Sequence, residues 1–153
     1  MEKAISRNGT DVTSKLIKIQ DIPNNLPLRG VLQVRGELYA PNQSPTLSQR
    51  IASGFLRAKE GLYKSLSFCA FQILNSRLNQ YESKNSLSKL GFTIPEDISC
   101  NFTSLVYVFR KQWLEGKLFK KYPTDGIVVK INSRKLQLIR EKSNLDYPIG
   151  KWQ

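Results

Sequence analysis

Hydrophobic and polar residues alternate over residues 31–40, VLQVRGELYA, and this period of two predicts a β-strand. The apolar run LSFCAFQIL at 66–74 predicts a buried strand, and YPTDGIVVKI at 122–131 predicts a turn followed by a half-buried strand. A short strand is also expected at 3–7, where KAISR alternates before an Asn-Gly turn. Gly36 interrupts the alternation at 31–40, which predicts a bulge or a close approach of another backbone.

Helical signals lie between these segments. Ser44 is a suitable N-cap, Pro45 suits the first turn, and Gly61 can end that helix. Gly91 is expected to stop a second helix, and Ser133 to cap another. The predicted helices cover residues 44–61, 83–92, 102–115 and 133–141. In the third of them, the apolar residues that fall along one helical stripe are Phe102, Leu105, Val108, Phe109 and Trp113.

The order of these elements favours one fold class. Strands and helices alternate irregularly, and short turns join several strands, which is typical of an α+β domain built on mostly antiparallel sheet. The chain has 153 residues, a length that suits a single domain with its own core. We therefore expect one α+β domain over residues 1–153.

Composition narrows the possible chemistry. The chain contains no histidine, so Ser-His-Asp and Cys-His catalysis and a histidine-ligated zinc are excluded. Its 24 Lys and Arg against 12 Asp and Glu give a net charge of +12, which favours nucleic acid, nucleotides or an anionic membrane as partners. A solvated basic surface is the other interpretation of this charge. No apolar run is long enough to cross a bilayer and no signal peptide is evident, so the cytoplasm is the expected compartment and no membrane partner is predicted.

Several charged side chains stand where core patterning would not place them. The acids among them could hold Mg²⁺ or a ribose hydroxyl, and the cations could bind phosphate, so together they suit a site that handles nucleotides. Surface salt bridges and a snorkelling lysine are the alternative interpretation. The residues concerned are Arg7, Glu37, Arg50, Arg57, Asp125 and Lys130.

The motifs occur in an order that resembles the adenylation (nucleotidyltransferase) domain of NAD-dependent DNA ligases along almost the whole chain. DGIVVKIN is close to identical with that family's motif IV, and LQVRGELYAP is similar to its Val-Arg-Gly-Glu strand. The segments AISRNGTDVTSKLIKIQDIP, SGFLR, LSFCAF and LGF resemble further family segments in the same order. This resemblance implies the family's fold, NAD as the source of an AMP group, Mg²⁺, and the sealing of nicks in DNA through an enzyme-AMP intermediate.

The resemblance also implies a role for individual residues in nucleotide binding. Arg7 and Glu37 would contact the ribose and its surroundings, and Phe71 would stack on adenine where the family usually has tyrosine. Plain core packing is the alternative role of Phe71. Asp125 would assist metal or nucleotide binding, with Mg²⁺ near Glu37 or Asp125, and Lys130 would offset the charge of the AMP phosphate.

A second group of residues is implied in contacts with nicked double-stranded DNA or with phosphate. Arg57 matches the arginine at the end of a family helix. Arg50 is seven residues away, where the family spacing is one longer, and Lys117 replaces an arginine that precedes motif IV. A lysine has less capacity than arginine for bidentate phosphate binding.

One departure from the family bears on activity. The family's nucleophile is the lysine of Lys-x-Asp-Gly, whereas the single Asp-Gly of this chain, at Asp125, has Pro123 where that lysine would stand. We therefore expect an incomplete adenylation domain that lacks the nucleophile and the last motif and does not form enzyme-AMP alone. Two alternatives remain open: a non-catalytic basic module that binds nucleic acid on the ligase fold, and one half of a split ligase whose missing parts a separate chain supplies.

Overall fold

The computed structural model describes residues 1–58, 65–101, 105–142 and 149–152. The elements in chain order are α1 (Thr13–Leu16), β1 (Val34–Tyr39), α2 (Pro45–Arg57), β2 (Ser67–Ile73), α3 (Gln80–Lys89), α4 (Leu105–Leu114), β3 (Ile127–Lys130), α5 (Arg134–Lys142) and β4 (Ile149–Trp152). Among the described residues, no helix combines the length and the apolar character needed to span a membrane.

The strands form two antiparallel pairs, β1 with β2 and β3 with β4. This arrangement, with helices beside the sheets, confirms the α+β class and the antiparallel pairing predicted from the sequence. The register of the first pair shifts between Arg35, which lies opposite Gln72, and Gly36, which lies opposite Ala70. Phe71 is therefore the extra residue of a β-bulge. The interruption at Gly36 was predicted, and the bulge confirms it.

Helices α2 and α3 are fastened to the first sheet by buried serines. The Ser48 hydroxyl of α2 accepts a hydrogen bond of 2.8 Å from the Ala40 amide at the end of β1. The Ser83 hydroxyl of α3 accepts one of 3.1 Å from the Ile73 amide in β2. These bonds pair groups that burial would otherwise leave unsatisfied. The core between the helices and the sheet consists of Ile19, Ile22, Ala40, Ala52, Phe55, Leu66, Ala70, Ile73, Leu87 and Phe92.

Several predicted boundaries are corrected by the structure. The helix predicted at 44–61 begins as expected, since the Ser44 hydroxyl accepts from the Leu47 amide, but it ends at Arg57 with Ala58 extended. Gly61 lies outside the described residues. The strand predicted at 3–7 is reduced to a single bridge between Ile5 and Asp11, because α1 begins at Thr13 and leaves no extended partner for further pairs.

Helix α3 also differs from its predicted bounds, whereas β3 and α5 begin where they were predicted. Helix α3 starts earlier than predicted because Asn79 and Glu82 form a capping box there, and it stops before Gly91, which has φ +86°. β3 occupies Ile127–Lys130 and follows the turn, as predicted for residues 122–131. α5 begins at Arg134, after Ser133 as predicted.

Helix α4 is less buried than its apolar composition suggests. None of its residues is fully buried, and Val108 is 47 % and Tyr107 67 % exposed. Phe109 and Trp113 are half-buried, and the Trp113 indole donates a 2.9 Å hydrogen bond to the Thr124 hydroxyl. The stripe therefore anchors the loop before β3, while Phe102 lies outside the described residues.

Replacing Gly36 by alanine should destabilise the protein, because a Cβ there would overlap the Phe68 ring and come within 2.5 Å of the Cys69 carbonyl oxygen. We expect a loss of about 1–3 kcal/mol in the free energy of unfolding, measured by urea denaturation.

Gly54→Ala is the matched control. Nothing lies within 4 Å of a Cβ built at Gly54, which sits inside α2, so this change should stabilise the protein by up to about 1 kcal/mol. Equal effects of the two changes would contradict the close packing at Gly36.

Candidate functional site

The first turn of α3 joins the two sheets of the protein. The Gln80 amide donates to the Asn132 backbone carbonyl at 2.9 Å, and the Tyr81 amide donates to the Asn132 side-chain oxygen at 3.0 Å. The Gln80 side chain in turn donates to the Phe71 carbonyl at 3.0 Å. The N–H groups of a first helical turn have no partner within the helix, so their bonds to Asn132 hold the end of β3 beside the bulge of β2.

This connection places two of the predicted site residues in contact. The Lys130 ammonium lies over the Phe71 ring, 4.8 Å from the ring centre, and both side chains are half-buried. The distance is within the range of a cation–π interaction. Strands far apart in the sequence therefore bring an aromatic face and a positive charge to one place.

The Lys130 ammonium is destabilised by its surroundings. Burial, followed by the positive charges of Arg35 and Lys84, lowers the pKa of Lys130 from 10.5 to about 8. Removal from water and like charges both disfavour the protonated amine. A bound anion would counter both effects, so the position suits a group such as phosphate.

The bulged sheet carries a further predicted residue, Glu37, which lies opposite Cys69 across the β1–β2 pair. Opposed residues of antiparallel strands project from the same face, and Glu37 is one of the charges that act on the Cys69 thiol. Burial, the largest cause, raises the pKa of Cys69 to about 11. The thiol therefore stays protonated at neutral pH.

The predicted arginines of α2 are exposed, and the end of that helix is fixed by a lysine. The Lys15 ammonium donates to the carbonyls of Leu56 and Ala58, both at 2.6 Å. A cation at a helix C-terminus satisfies carbonyls that have no partner in the helix and offsets the helix dipole. Arg57 is thereby presented from a fixed backbone, and Arg50 lies on the same helix two turns earlier.

The remaining predicted residues lie on exposed loops. Arg7 is in the turn closed by the Gly9 amide and the Ser6 carbonyl, and Asp125 precedes β3. Lys117 pairs with Glu115 at 2.7 Å, an exposed ion pair of small energetic weight. The predicted roles of Arg7, Asp125 and Lys117 stay predictions.

No group of three or more Cys, Asp or Glu side chains forms a metal site within the described ranges of the chain. Mg²⁺ is commonly held by one or two carboxylates together with phosphate oxygens. The exposed carboxylates of Glu37 and Asp125 fit that requirement only jointly with a phosphate ligand, so Mg²⁺ near them stays a prediction.

Sequence reasoning missed three residues that shape this site. Arg35 and Lys84 act on the charge of Lys130. Lys84 is buried, donates to the Pro95 carbonyl at 2.8 Å and pairs with Asp97 at 2.6 Å. Asn132 is the third, and nothing in the sequence marks it, because the helix start that it contacts lies 51 residues earlier in the chain. Lys84 was not marked either, since a lysine in a helix is ordinarily exposed.

With this geometry in view, comparison with known proteins gives the family. Residues 3–140 match the family model of the NAD-dependent DNA ligase adenylation domain, so the chain belongs to that family. The resemblance identified from the motifs is thereby confirmed.

Individual relatives agree with this assignment. The chain is 32 % identical over 148 residues to a DNA ligase of Oceanobacillus iheyensis, with 82 % of this chain and 22 % of that protein covered. It is 30 % identical over 152 residues to a DNA ligase of Latilactobacillus sakei, with 84 % and 22 % covered. For a DNA ligase of Petrotoga mobilis the identity is 30 % over 164 residues, with 90 % and 25 % covered. The chain thus spans about a quarter or less of the length of these relatives.

Replacing Asn132 by alanine should loosen β3, because the Tyr81 amide loses the acceptor that ties α3 to this strand. We expect a loss of about 1 kcal/mol in the free energy of unfolding. Hydrogen exchange of the amides of Ile127–Lys130 should accelerate.

Asn79→Ala is the control on the same helix, since the Asn79 side chain accepts from the Glu82 amide but makes that bond within α3. It should cost a similar free energy of unfolding and leave exchange in β3 unchanged. If both variants alter β3 to the same extent, Asn132 does not act as the specific link between α3 and β3.

Proposed function

We propose that this chain forms an AMP-binding part of an NAD-dependent DNA ligase, in which Phe71 stacks on the adenine and Lys130 neutralises the phosphate. The observation that carries this proposal is the contact between the Phe71 ring and the Lys130 ammonium. The family membership of residues 3–140 supports it independently. NAD is the proposed source of the AMP group.

Each group has a physical task in this proposal. Stacking of a base on an aromatic ring stabilises binding by about 1–3 kcal/mol, and Phe71 offers a half-buried ring. Lys130 supplies positive charge from a partly dehydrated position, where electrostatic interactions are stronger than in water. Glu37 and Arg7 are proposed to contact the ribose and its surroundings, with Asp125 assisting Mg²⁺ or the nucleotide. Bound Mg²⁺ would supply neutralisation of phosphate charge.

The proposed DNA substrate is a nicked duplex. Arg50 and Arg57 are exposed on α2, and the net charge of +12 favours contact with phosphates. Because the sequence contains no Lys-x-Asp-Gly, we propose that the amine that accepts AMP comes from a separate polypeptide segment. Phosphoryl transfer depends mainly on positioning and charge stabilisation, and these are the contributions proposed for this chain.

A second candidate is a non-catalytic module that binds nucleic acid, favoured by the same net charge of +12. Such a module would bind DNA through phosphate contacts but would have no working nucleotide site. Binding of AMP therefore distinguishes it from the AMP-binding part of a ligase.

Titration of the protein with AMP by calorimetry tests the nucleotide site. Phe71→Leu keeps apolar bulk but removes the aromatic face, so it should weaken AMP binding by about tenfold, as expected for one lost stacking contact. Phe71→Tyr keeps the ring and should bind AMP as the wild type does. Failure of the wild type to bind AMP, or equal binding by the leucine variant, would refute the proposed site.

The same titration should depend on pH through Lys130. With a pKa of about 8 in the free protein and a higher one beside phosphate, affinity is full below pH 8 and is lost as the pH rises above it. We expect a fall of about tenfold between pH 7 and 9. Lys130→Arg keeps its charge in this range and should show little pH dependence. A wild-type affinity that is flat over this interval would contradict the role of Lys130.

A further inference from the structure

A basic depression lies beyond the carboxyl ends of β2 and β3, the strands that carry Phe71 and Lys130. Its volume is about 450 Å³, and its lining comes from the loop before α3 and from α5. The lining residues are Ser76, Arg77, Arg134, Lys135, Leu138 and Ile139. Three of these six side chains are cationic and none is acidic.

We infer that this depression, called here the α5 depression, binds a backbone phosphate of the DNA duplex. Arg77 and Lys135 are exposed and come from different elements, so they can approach a phosphate from two sides. Arginine and lysine supply most of the charged contacts to the DNA backbone. The inference extends the proposed DNA-binding role, although it does not require a working AMP site.

The backbone of the α5 depression is held by hydrogen bonds that lead back to β3. The Arg134 guanidinium donates to the Gln137 side-chain oxygen at 3.2 Å, and the Gln137 amide group donates to the Ile131 carbonyl at 2.6 Å. Gln137 is buried. The start of α5 is therefore fixed relative to the end of β3, so the cations of the depression have a defined position beside the candidate nucleotide site.

The spacing between the two places suits a single DNA strand. Arg134 follows Lys130 by four residues, so their α-carbons lie at most about 14 Å apart. Successive phosphates of one strand advance about 3.4 Å along the duplex axis, and they lie farther apart in space because the strand also winds around that axis. The α5 depression and the candidate nucleotide site are therefore separated by fewer than about four nucleotides of one strand.

The apolar side chains of the depression agree with a sugar-phosphate ligand. Leu138 is 41 % and Ile139 is 53 % exposed. A deoxyribose presents C–H groups next to its phosphates, so these side chains can cover sugar while the cations hold phosphate. A small inorganic anion would use the cations but would leave the apolar side chains exposed to water.

Binding of a fluorescent nicked duplex, measured by anisotropy at several salt concentrations, tests the inference. Arg77→Glu should weaken binding by about tenfold near 50 mM salt and reduce the slope of log K against log salt concentration by about one. Lys135→Glu should act in the same direction. Arg77→Gln serves as a second variant if the glutamate variant does not fold by circular dichroism.

Lys89→Glu is the matched control, because it changes the net charge equally but lies at the far end of α3. It should leave the slope unchanged and weaken binding by less than about threefold. An equal loss in Lys89→Glu and Arg77→Glu would overturn the inference, as would failure of the wild type to bind the duplex at low salt.

Two further measurements distinguish a DNA-phosphate site from a site for free phosphate and from the AMP site. Inorganic phosphate, compared with chloride at the same ionic strength, should not displace the duplex at millimolar concentration. Displacement that Arg77→Glu abolishes would overturn the inference in favour of a free-phosphate site. AMP binding should be the same within about twofold in Arg77→Glu and the wild type, so a failed AMP site and a failed α5 depression give different results.

Discussion

The described structure depends on how the first turn of α3 satisfies its backbone N–H groups. Two of these groups bond to Asn132 and two to Asn79, so the helix start is fully capped only when β3 lies beside it. Because the N–H groups of a first helical turn have no partner within the helix, the bonds to Asn132 tie the second sheet to the first. The Gln80 side chain extends the connection to the carbonyl of Phe71. The bulge in β2, the end of β3 and the start of α5 therefore take their relative positions from one helix terminus.

In that arrangement the protonated form of Lys130 is destabilised. Its amine is partly buried near Arg35 and Lys84, and the only stabilising contact found for it among the described residues is the Phe71 ring. A cation–π contact stabilises a charge by about 0.5–2 kcal/mol, and it acts against the burial and like charges that lower the pKa of Lys130. The negative charge of a bound phosphate would stabilise the protonated amine. The proposed function follows from this, because the protein alone does not supply Lys130 with a negative partner among the described residues.

Local features of the fold could be predicted from the sequence. Gly36 marked the bulge, Gly91 marked the end of α3, and the runs that became β1, β2 and β3 were recognised from residue type and period. The single bridge at Ile5 and the exposed side of α4 could not, because they depend on which surfaces meet in three dimensions. The motif resemblance selected Phe71 and Lys130 as site residues, yet their contact arises from Asn132 and Gln80, whose hydrogen bonds to distant segments leave no periodic trace. Arg35 and Lys84 were missed for the same reason, since like charges near a lysine are visible only after folding.

The central claim is that Lys130 is a dehydrated amine directed into a site for the phosphate of AMP. NMR with ¹³C-labelled lysine measures this most directly, with the Lys130 ε-methylene signal assigned from its absence in Lys130→Arg. Titration of the free protein should give a pKa of about 8 for Lys130, and saturation with AMP should raise that value. A pKa near 10.5 in the free protein, or a lowered pKa that AMP leaves unchanged, would contradict the account.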